Sequence, residues 1–299
     1  MNKKVLVTGG SGFIGSQLVE RLQNNGDDVE TFDIVDGYDL RNLDEAFSKV
    51  NGKDIVFHLA AVADLNWARI HPIATMEINV KGTWCMAYAC KQFGVKLYYA
   101  STCCIYGQQK VHPVDETVAP NPTEVYACSK LAGENVIKGF HCSYGLEYNM
   151  MRFATIYGEG TRPALGTHIF MGQALRGEPL TIHGDGKQTR TLTYIQDLID
   201  GIMALYRSGE INDAWNLSTT EEVSALQMAE DIKRLTNSKS EIAFIPQRIG
   251  QTFKESINAN KMLNEVGWKA ETKWEDGINK MYRWFKETNQ VENLYKMPK

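Results

Sequence analysis

A doubly wound α/β fold on a parallel sheet, with a smaller α/β substrate-binding lobe attached, is what this chain predicts. Three observations carry the prediction. A short apolar run, Val5-Leu6-Val7, enters a glycine-rich turn and then a helix. Strand-like and helix-like segments alternate over the first half of the chain, as in parallel sheets whose crossovers are helices. From about Thr155 the alternation loosens, broken by Pro163, Gly166, Pro179 and the Gly184-Asp185-Gly186 turn. With 299 residues the chain can bury an ample core in one two-lobed unit.

The first strand is apolar on consecutive residues, as a strand covered on both faces must be. Glycines at 10, 12 and 15 fit Gly-x-Gly-x-x-Gly, and those at 9, 12 and 15 fit Gly-x-x-Gly-x-x-Gly. Such glycines allow a tight turn and let backbone N–H groups approach a pyrophosphate at a helix N-terminus. The helix carries Ile14, Leu18, Val19 and Leu22 and stops at Asn24-Asn25-Gly26. The next strand, Val29 to Asp33, ends on an acid about twenty residues past the glycines. A carboxylate there accepts hydrogen bonds from the adenosine ribose and repels a 2′-phosphate, and no Lys or Arg follows until Arg41. The cofactor is therefore read as NAD, not NADP.

Further along, the pattern predicts a helix over Asn42 to Val50, a strand over Asp54 to Ala61, a long helix over Ala74 to Phe93 and a strand over Val95 to Ala100. Pro113 to Pro122 is a loop, a helix carries Tyr126 and Lys130, and a strand covers Tyr148 to Phe153. Leu192 to Leu205 reads as a strand and helix returning to the main sheet, and Trp274 to Thr288 as an amphipathic helix. The dinucleotide-binding domain is thus assigned to 1–154, with 190–215 returning to it. The second lobe takes 155–189 and 216–299.

Tyr126 and Lys130 stand four apart, on one helix face. A cation beside a phenol favours the phenolate, so the spacing predicts a tyrosine whose pKa falls below its usual value of about 10. Such a tyrosine takes a proton from an alcohol near neutral pH.

Composition excludes other classes. Net charge is −4 and no basic block occurs, which argues against nucleic acid. No apolar run is long enough to span a membrane, and the chain enters a strand at once, leaving no room for a signal peptide. Six irregularly spaced cysteines do not form a disulfide framework, so a reducing cytoplasm is expected. Cys103, Cys104 and Cys128 lack zinc-site spacing, and no metal is expected. The six histidines are scattered: His58 reads as structural, while His168 and His183 fall in the second lobe.

Together these motifs resemble the extended short-chain dehydrogenase/reductase superfamily, in particular its NAD-dependent nucleotide-sugar epimerases and dehydratases. The resemblance spans essentially the whole chain. It rests on Thr8-Gly-Gly-Ser-Gly-Phe-Ile-Gly15, His58-Leu-Ala-Ala61, Asn79-Val-Lys-Gly-Thr83, Tyr126-x-x-x-Lys130, Arg152-x-x-x-x-Tyr157-Gly158, Gly184 to Arg190, Arg248-x-Gly250 and Val266-Gly-Trp268. It implies a Rossmann domain and the following roles. Thr102 would hold the reacting sugar hydroxyl, Tyr126 would be the acid/base and Lys130 would bind the nicotinamide ribose. Gly9, Gly12, Phe13, Ile14, Gly15 and Asn79 would belong to the cofactor site, with Asp39 and Leu40 at adenine. Leu59, Ala60, Ala61 and Ala63 would line the path of the pyrophosphate and nicotinamide. Arg190 and Arg248 would clamp the substrate diphosphate, a task to which guanidinium forks are suited.

Several positions depart from the resembled family. Thr155 replaces an asparagine that contacts substrate phosphate, and Gln251 replaces an aspartate. The stretch from Asp33 to Asp39 is short, which opens the adenine pocket. Dehydratases and decarboxylases carry acids after the threonine, where this chain has Cys103 and Cys104, so elimination chemistry is disfavoured. GDP-mannose 3,5-epimerases are similar at Ala100 to Tyr106 and use the matching cysteine, but no Lys lies between Gly160 and Phe170 to complete that pair. The expectation is a 4-epimerase of a UDP-hexose or UDP-hexuronic acid. The alternatives are C3/C5 epimerisation through Cys104, 4-ketosugar reduction, and a non-catalytic NAD-binding scaffold. The resemblance also implies a homodimer through a four-helix bundle. It would use the Ala74–Phe93 helix (Ile78, Ala87, Tyr88, Lys91) and the Tyr126 helix (Leu131, Val136, Ile137, Phe140).

Overall fold

The computed structural model describes residues 2–247 and 252–288. Arg248, Gly250 and Gln251 therefore lie outside the described residues. The chain opens with β1 (Lys4–Thr8), α1 (Phe13–Asn24) and β2 (Asp28–Phe32). α1 turns Leu18 and Leu22 inward, and Gly26, at φ 89°, reverses the chain behind it. Asp33 does not extend the second strand. Its side chain caps a single 3-10 turn, Ile34–Asp36, and an irregular stretch then leads to α2 (Leu43–Val50). Asn42 caps α2 by accepting from the N–H groups of Asp44 and Glu45.

β3 (Ile55–His58) is followed by α3 (Leu65–Ile70), a six-residue helix capped by Asp64 and too short for its periodicity to show in the sequence. The long helix begins at Pro72 as α4 (Pro72–Met76). It passes through a π turn at Glu77–Lys81 and continues as α5 (Gly82–Phe93). β4 (Lys96–Thr102), a 3-10 turn at Cys103–Tyr106, α6 (Val125–Tyr144) and β5 (Tyr148–Phe153) complete the first half. The second half holds β6 (Thr155–Tyr157), α7 (Gly166–Arg176), β7 (Leu180–His183), β8 (Thr189–Tyr194) and α8 (Ile195–Ser208). It continues with β9 (Asp213–Leu217), β10 (Glu222–Ser224), α9 (Ala225–Leu235), β11 (Ile242–Ile245) and α10 (Trp274–Glu287).

The main sheet is parallel throughout, in the order β2-β1-β3-β4-β5-β9. Alternate residues of β1 feed different cores. Val5 and Val7 pack with Phe57, Tyr98, Met151 and α8, whereas Leu6 packs with Val56, Tyr99 and the inner face of α5. This two-sided covering defines the doubly wound fold and explains the unbroken apolar run. The chain leaves β1 for β2 on one side and for β3 on the other, so the ends of β1 and β3 flank a topological switch point. The first of the two cores continues into α7, α9 and α10, and the lobes share it without a linker.

Two expectations are corrected. The strand before α8 does not return to the main sheet: β8 lies between β10 and β6 in a separate three-stranded sheet, and β9 is the sixth main strand. The sequence around Trp215 is polar at its ends, which hid a strand that is fully buried at Trp215-Asn216-Leu217. The helix faces assigned to a dimer also differ. Ala87 and Ile137 are fully buried inside the protomer. The exposed apolar side chains on these helices are Ile73, Met76, Trp84, Phe93 and Tyr144.

Candidate active site

The crevice at the switch point is built by backbone. Gly9 has φ 71°, and a Cβ there would lie 2.8 Å from the Ala60 nitrogen, so the loops after β1 and β3 meet main chain to main chain. A Cβ on Gly15 would run into the Gly9 carbonyl, so only glycine lets α1 start so close to β1. The α1 N-cap, Gly12, makes no side-chain capping bond, and the first turn has no acid. Its N–H groups, beside half-buried Phe13 and Ile14, are left for an anion. Asp33 accepts from Ser11 N–H (2.9 Å) and Val35 N–H (3.2 Å), which holds a carboxylate at the end of β2 beside the glycine turn. A cradle of free N–H groups next to a strand-end acid fits a pyrophosphate and its adenosine ribose.

Asp39 is forked by Arg41 at 2.6 Å, which holds the carboxylate low, and Arg41 also reaches Glu77. Leu40 packs over Gly82. Leu59, Ala60, Ala61 and Ala63 are half-buried along the loop after β3. A relay of hydrogen bonds fixes that loop. Ala60 N–H donates to Thr8 Oγ1, which donates to His58 Nδ1. Thr83 gives its only proton to the Asn79 carbonyl, so His58 Nε2–H must donate to Thr83 Oγ1. Burial pushes His58 down to about 3, so the ring is neutral, and its role is structural.

Asn79, inside the π turn, is buried. Its amide donates to the Val62 carbonyl (2.9 Å) and Ser129 Oγ (2.8 Å) and accepts from Val62 N–H (2.8 Å). Ser129 in turn donates to the Tyr126 carbonyl. Both amide protons are thus spent tying the loop after β3 to the first turn of α6. A π turn at such a place is a common mark of a functional site.

Thr102 ends β4, and Tyr126 lies in the first turn of α6. Their side chains share a hydrogen bond, and Thr102 Oγ1 also accepts from Cys104 N–H (3.1 Å). Lys130 sits one turn further, buried, its ammonium 4.3 Å from the centroid of the Tyr99 ring. The expected phenol activation is corrected here. Burial pushes Tyr126 up to about 12, Cys104 adds to the rise, and the opposing cation is Arg162. Burial pulls Lys130 down to about 7, against the pull of Glu134. Sharing a helix face therefore does not make Lys130 the activator: its charge is directed onto Tyr99, and desolvation outweighs the attraction.

One turn beyond Lys130, Glu134 grips Arg152 at 3.0 and 2.7 Å and accepts from Ser101 Oγ at 2.5 Å. Arg152 donates to Tyr106, which donates to Asn216. This buried network pins the end of β4, and Thr102 with it, to α6, β5 and β9. Tyr126, Lys130 and Glu134 recur every fourth residue, a signal that the motif reading stopped one turn short of using.

From the second lobe, Thr155 Oγ1 donates to Glu255 (3.3 Å) and half-buried Arg190 donates to the Thr189 carbonyl (2.7 Å). Glu255 was not foreseen. It is buried on the segment beside β8 and lines a small cavity with Cys103, Cys104 and His112. Burial raises its carboxyl, opposed by Arg190. Burial and then Glu255 push Cys104 up to about 11, which makes it a poor base. His168 is buried on Phe285 and bonded to the Thr161 carbonyl, while His183 bonds the Pro246 carbonyl. Among the described residues no group of side chains could hold a metal, and all six cysteines are free.

A dinucleotide cradle joined to a Thr-Tyr-Lys cluster at the strand ends defines the short-chain dehydrogenase/reductase class. Residues 5–218 match the NAD dependent epimerase/dehydratase family, and the chain belongs to it. The protein binds NAD. It is 32% identical to UDP-glucuronic acid decarboxylase 1 of Danio rerio, over 98% of this chain and 75% of that protein. It is 31% identical to a putative UDP-glucose 4-epimerase of Methanocaldococcus jannaschii, over 96% of this chain and all of that one. The crystal structure of the Thermotoga maritima UDP-glucose 4-epimerase with UDP-glucose superposes with a TM-score of 0.91 at 28% identity, covering 97% of this chain and 100% of that chain.

Proposed function

We propose that the protein is an NAD-dependent 4-epimerase of a UDP-hexose or UDP-hexuronic acid. The observation that carries this reading is the Thr102–Tyr126 hydrogen bond at the mouth of the dinucleotide crevice, with cysteines instead of acids at 103 and 104. Thr102 holds the 4-hydroxyl of the sugar. Tyr126 takes its proton and later returns it. NAD, when bound, supplies the acceptor and donor of hydride at C4. Lys130 binds the nicotinamide ribose, and Arg190, with Arg248, holds the diphosphate. Gly9, Gly12 and Gly15 admit the pyrophosphate.

Decarboxylation and dehydration need an acid to move a proton at C5, and buried Cys103 and half-buried Cys104, both with raised pKa, do not supply one. The same property argues against C3/C5 epimerisation through Cys104. Incubation with UDP-glucose, UDP-galactose and their uronic acids in deuterated water tests the proposal. C4 inversion without deuterium at carbon is expected; deuterium at C3 or C5, or loss of carbon dioxide, would overturn it.

Asp33 underlies a preference for NAD over NADP, because a 2′-phosphate would face its carboxylate. Equal affinity for the two cofactors in a titration would refute that preference. The exposed Ile73, Trp84, Phe93 and Tyr144 on the long helix and α6 support a homodimer through these helices. Light scattering at micromolar concentration should give twice 33.7 kDa; a monomer mass that does not change on concentration would exclude it. Free cysteines throughout fit a reducing cytoplasm. Among the described residues no helix is long and apolar enough to cross a membrane. A disulfide found in the native protein would argue against that location.

A further inference from the structure

Glu255 carries a carboxyl at 7% exposure in the wall of the small cavity that Cys104 also lines. Its place is fixed by backbone. Glu255 N–H donates to the Thr189 carbonyl (3.1 Å) and Thr189 N–H to the Phe253 carbonyl (3.0 Å), so the segment is tied to the start of β8 by a single parallel bridge. Thr155 and Thr191 donate to it at 3.3 and 3.4 Å, both to Oε1. These bonds are long, and an ionised carboxylate has about four acceptor sites. The Thr155 backbone N–H bonds the carboxyl as well. Glu255 shares a cavity wall with Cys104, whose own N–H is bonded to Thr102. The acid therefore stands across Cys104 from the Thr102–Tyr126 pair.

We propose that Glu255 sets the charge preference of the sugar subsite, so that the enzyme takes a UDP-hexose presenting hydroxyl donors and rejects the corresponding uronic acid. The inference rests on the 4-epimerase reading for the position of the sugar. A hydroxyl entering this wall donates to a carboxylate whose acceptor sites Thr155 and Thr191 do not all fill. A uronate would bring a second carboxylate against the first where water is scarce, and like charges so placed disfavour each other strongly. This is specificity by repulsion, which rejects an otherwise well-shaped competitor. Three cations lie nearby. Arg190 acts on Glu255 and bonds the Thr189 carbonyl, Lys254 lines the same cavity but pairs with Glu222 at 3.5 Å, and Arg162 acts on the Tyr126 side, so none turns the Glu255 wall into a carboxylate receptor.

Binding tests the proposal independently of turnover. Calorimetric titration of the NAD-loaded protein with UDP-glucose and with UDP-glucuronic acid should show at least a tenfold preference for UDP-glucose. Glu255→Gln, which keeps an acceptor for the threonines, should narrow that ratio at least tenfold, mainly by gaining affinity for the uronic acid. Glu255→Ala should move it in the same direction, and unchanged NAD affinity in both variants marks an intact fold. Thr155→Val, which leaves the charge in place, should keep the preference. A wild-type protein that favours UDP-glucuronic acid, or a ratio unmoved in both Glu255 variants, would overturn the proposal. Discrimination without C4 inversion would instead leave Glu255 in its role and refute the 4-epimerase reading.

Discussion

Lys130 and Glu134 stand one turn apart on α6, at 2% and 4% exposure, and their surroundings treat them in opposite ways. Glu134 has a forked guanidinium and a serine hydroxyl, so its charge is matched within hydrogen-bonding distance. Lys130 lies over an aromatic face, Glu134 attracts it, and burial drags it to about 7. The first arrangement resembles a structural ion pair, whose loss is costly because it strands the partner. The second is unfavourable for folding and leaves a cation available at the crevice. Neighbouring residues on one helix thus divide into a part that holds the site rigid and a part kept uncomfortable for chemistry.

The largest effect should fall on the chemical side of that divide. Tyr126→Phe deletes a proton carrier and almost no volume, so turnover should drop about 10²–10⁴-fold while NAD affinity stays as it was. Steady-state assays beside cofactor titration decide this, and near-normal turnover would remove Tyr126 from the mechanism. On the structural side, Arg152→Met strands Glu134 and should lower unfolding free energy by about 3–5 kcal/mol in denaturant titrations. A loss below about 1 kcal/mol would mean that the network is not what pins β4.

Lys130→Met sharpens the contrast. A lysine at about 7 when folded and 10.5 when unfolded holds fewer protons in the native state between those values. Stability of the cofactor-free wild type should therefore rise with pH across that window, by about 1.4 kcal/mol per pH unit from this group. Lys130→Met should lack that rise, be no less stable at pH 7 and bind NAD more weakly. Denaturant curves at pH 7 and pH 9 for both proteins give the comparison, and parallel pH dependences would contradict the assigned burial cost. The smallest effect is expected at Cys104. Cys104→Ser should cost well under the roughly 10²-fold typical of a lost acid–base group, whereas a severe loss would make the thiol a proton carrier.

What was legible beforehand was local. The glycine turn, Asp33 at the strand end and the Tyr126–Lys130 spacing depend on residues close in sequence, and the main strands through β5 follow from their apolar runs. What was hidden depends on distant partners. β9 looks polar at its start, and only its neighbour β5 makes it a strand. Asn79 works through Val62 and Ser129, and Glu255 meets Thr155 from the far end of the chain. The state of Tyr126 was misjudged for the same reason: helical spacing reports which side chains are neighbours, whereas burial, which dominates its pKa, is a tertiary property.

The central claim is that this chain inverts C4 through a proton exchanged at Tyr126 and a hydrogen that never leaves the site. UDP-galactose carrying deuterium at C4, turned over in ordinary water and followed by mass spectrometry and proton NMR, tests it directly. UDP-glucose that keeps the deuterium at C4, with no net change in the redox state of NAD, is the expected result. Loss of the label to solvent, accumulation of reduced cofactor, or a wild type that inverts C4 in neither this sugar nor its uronic acid would contradict it.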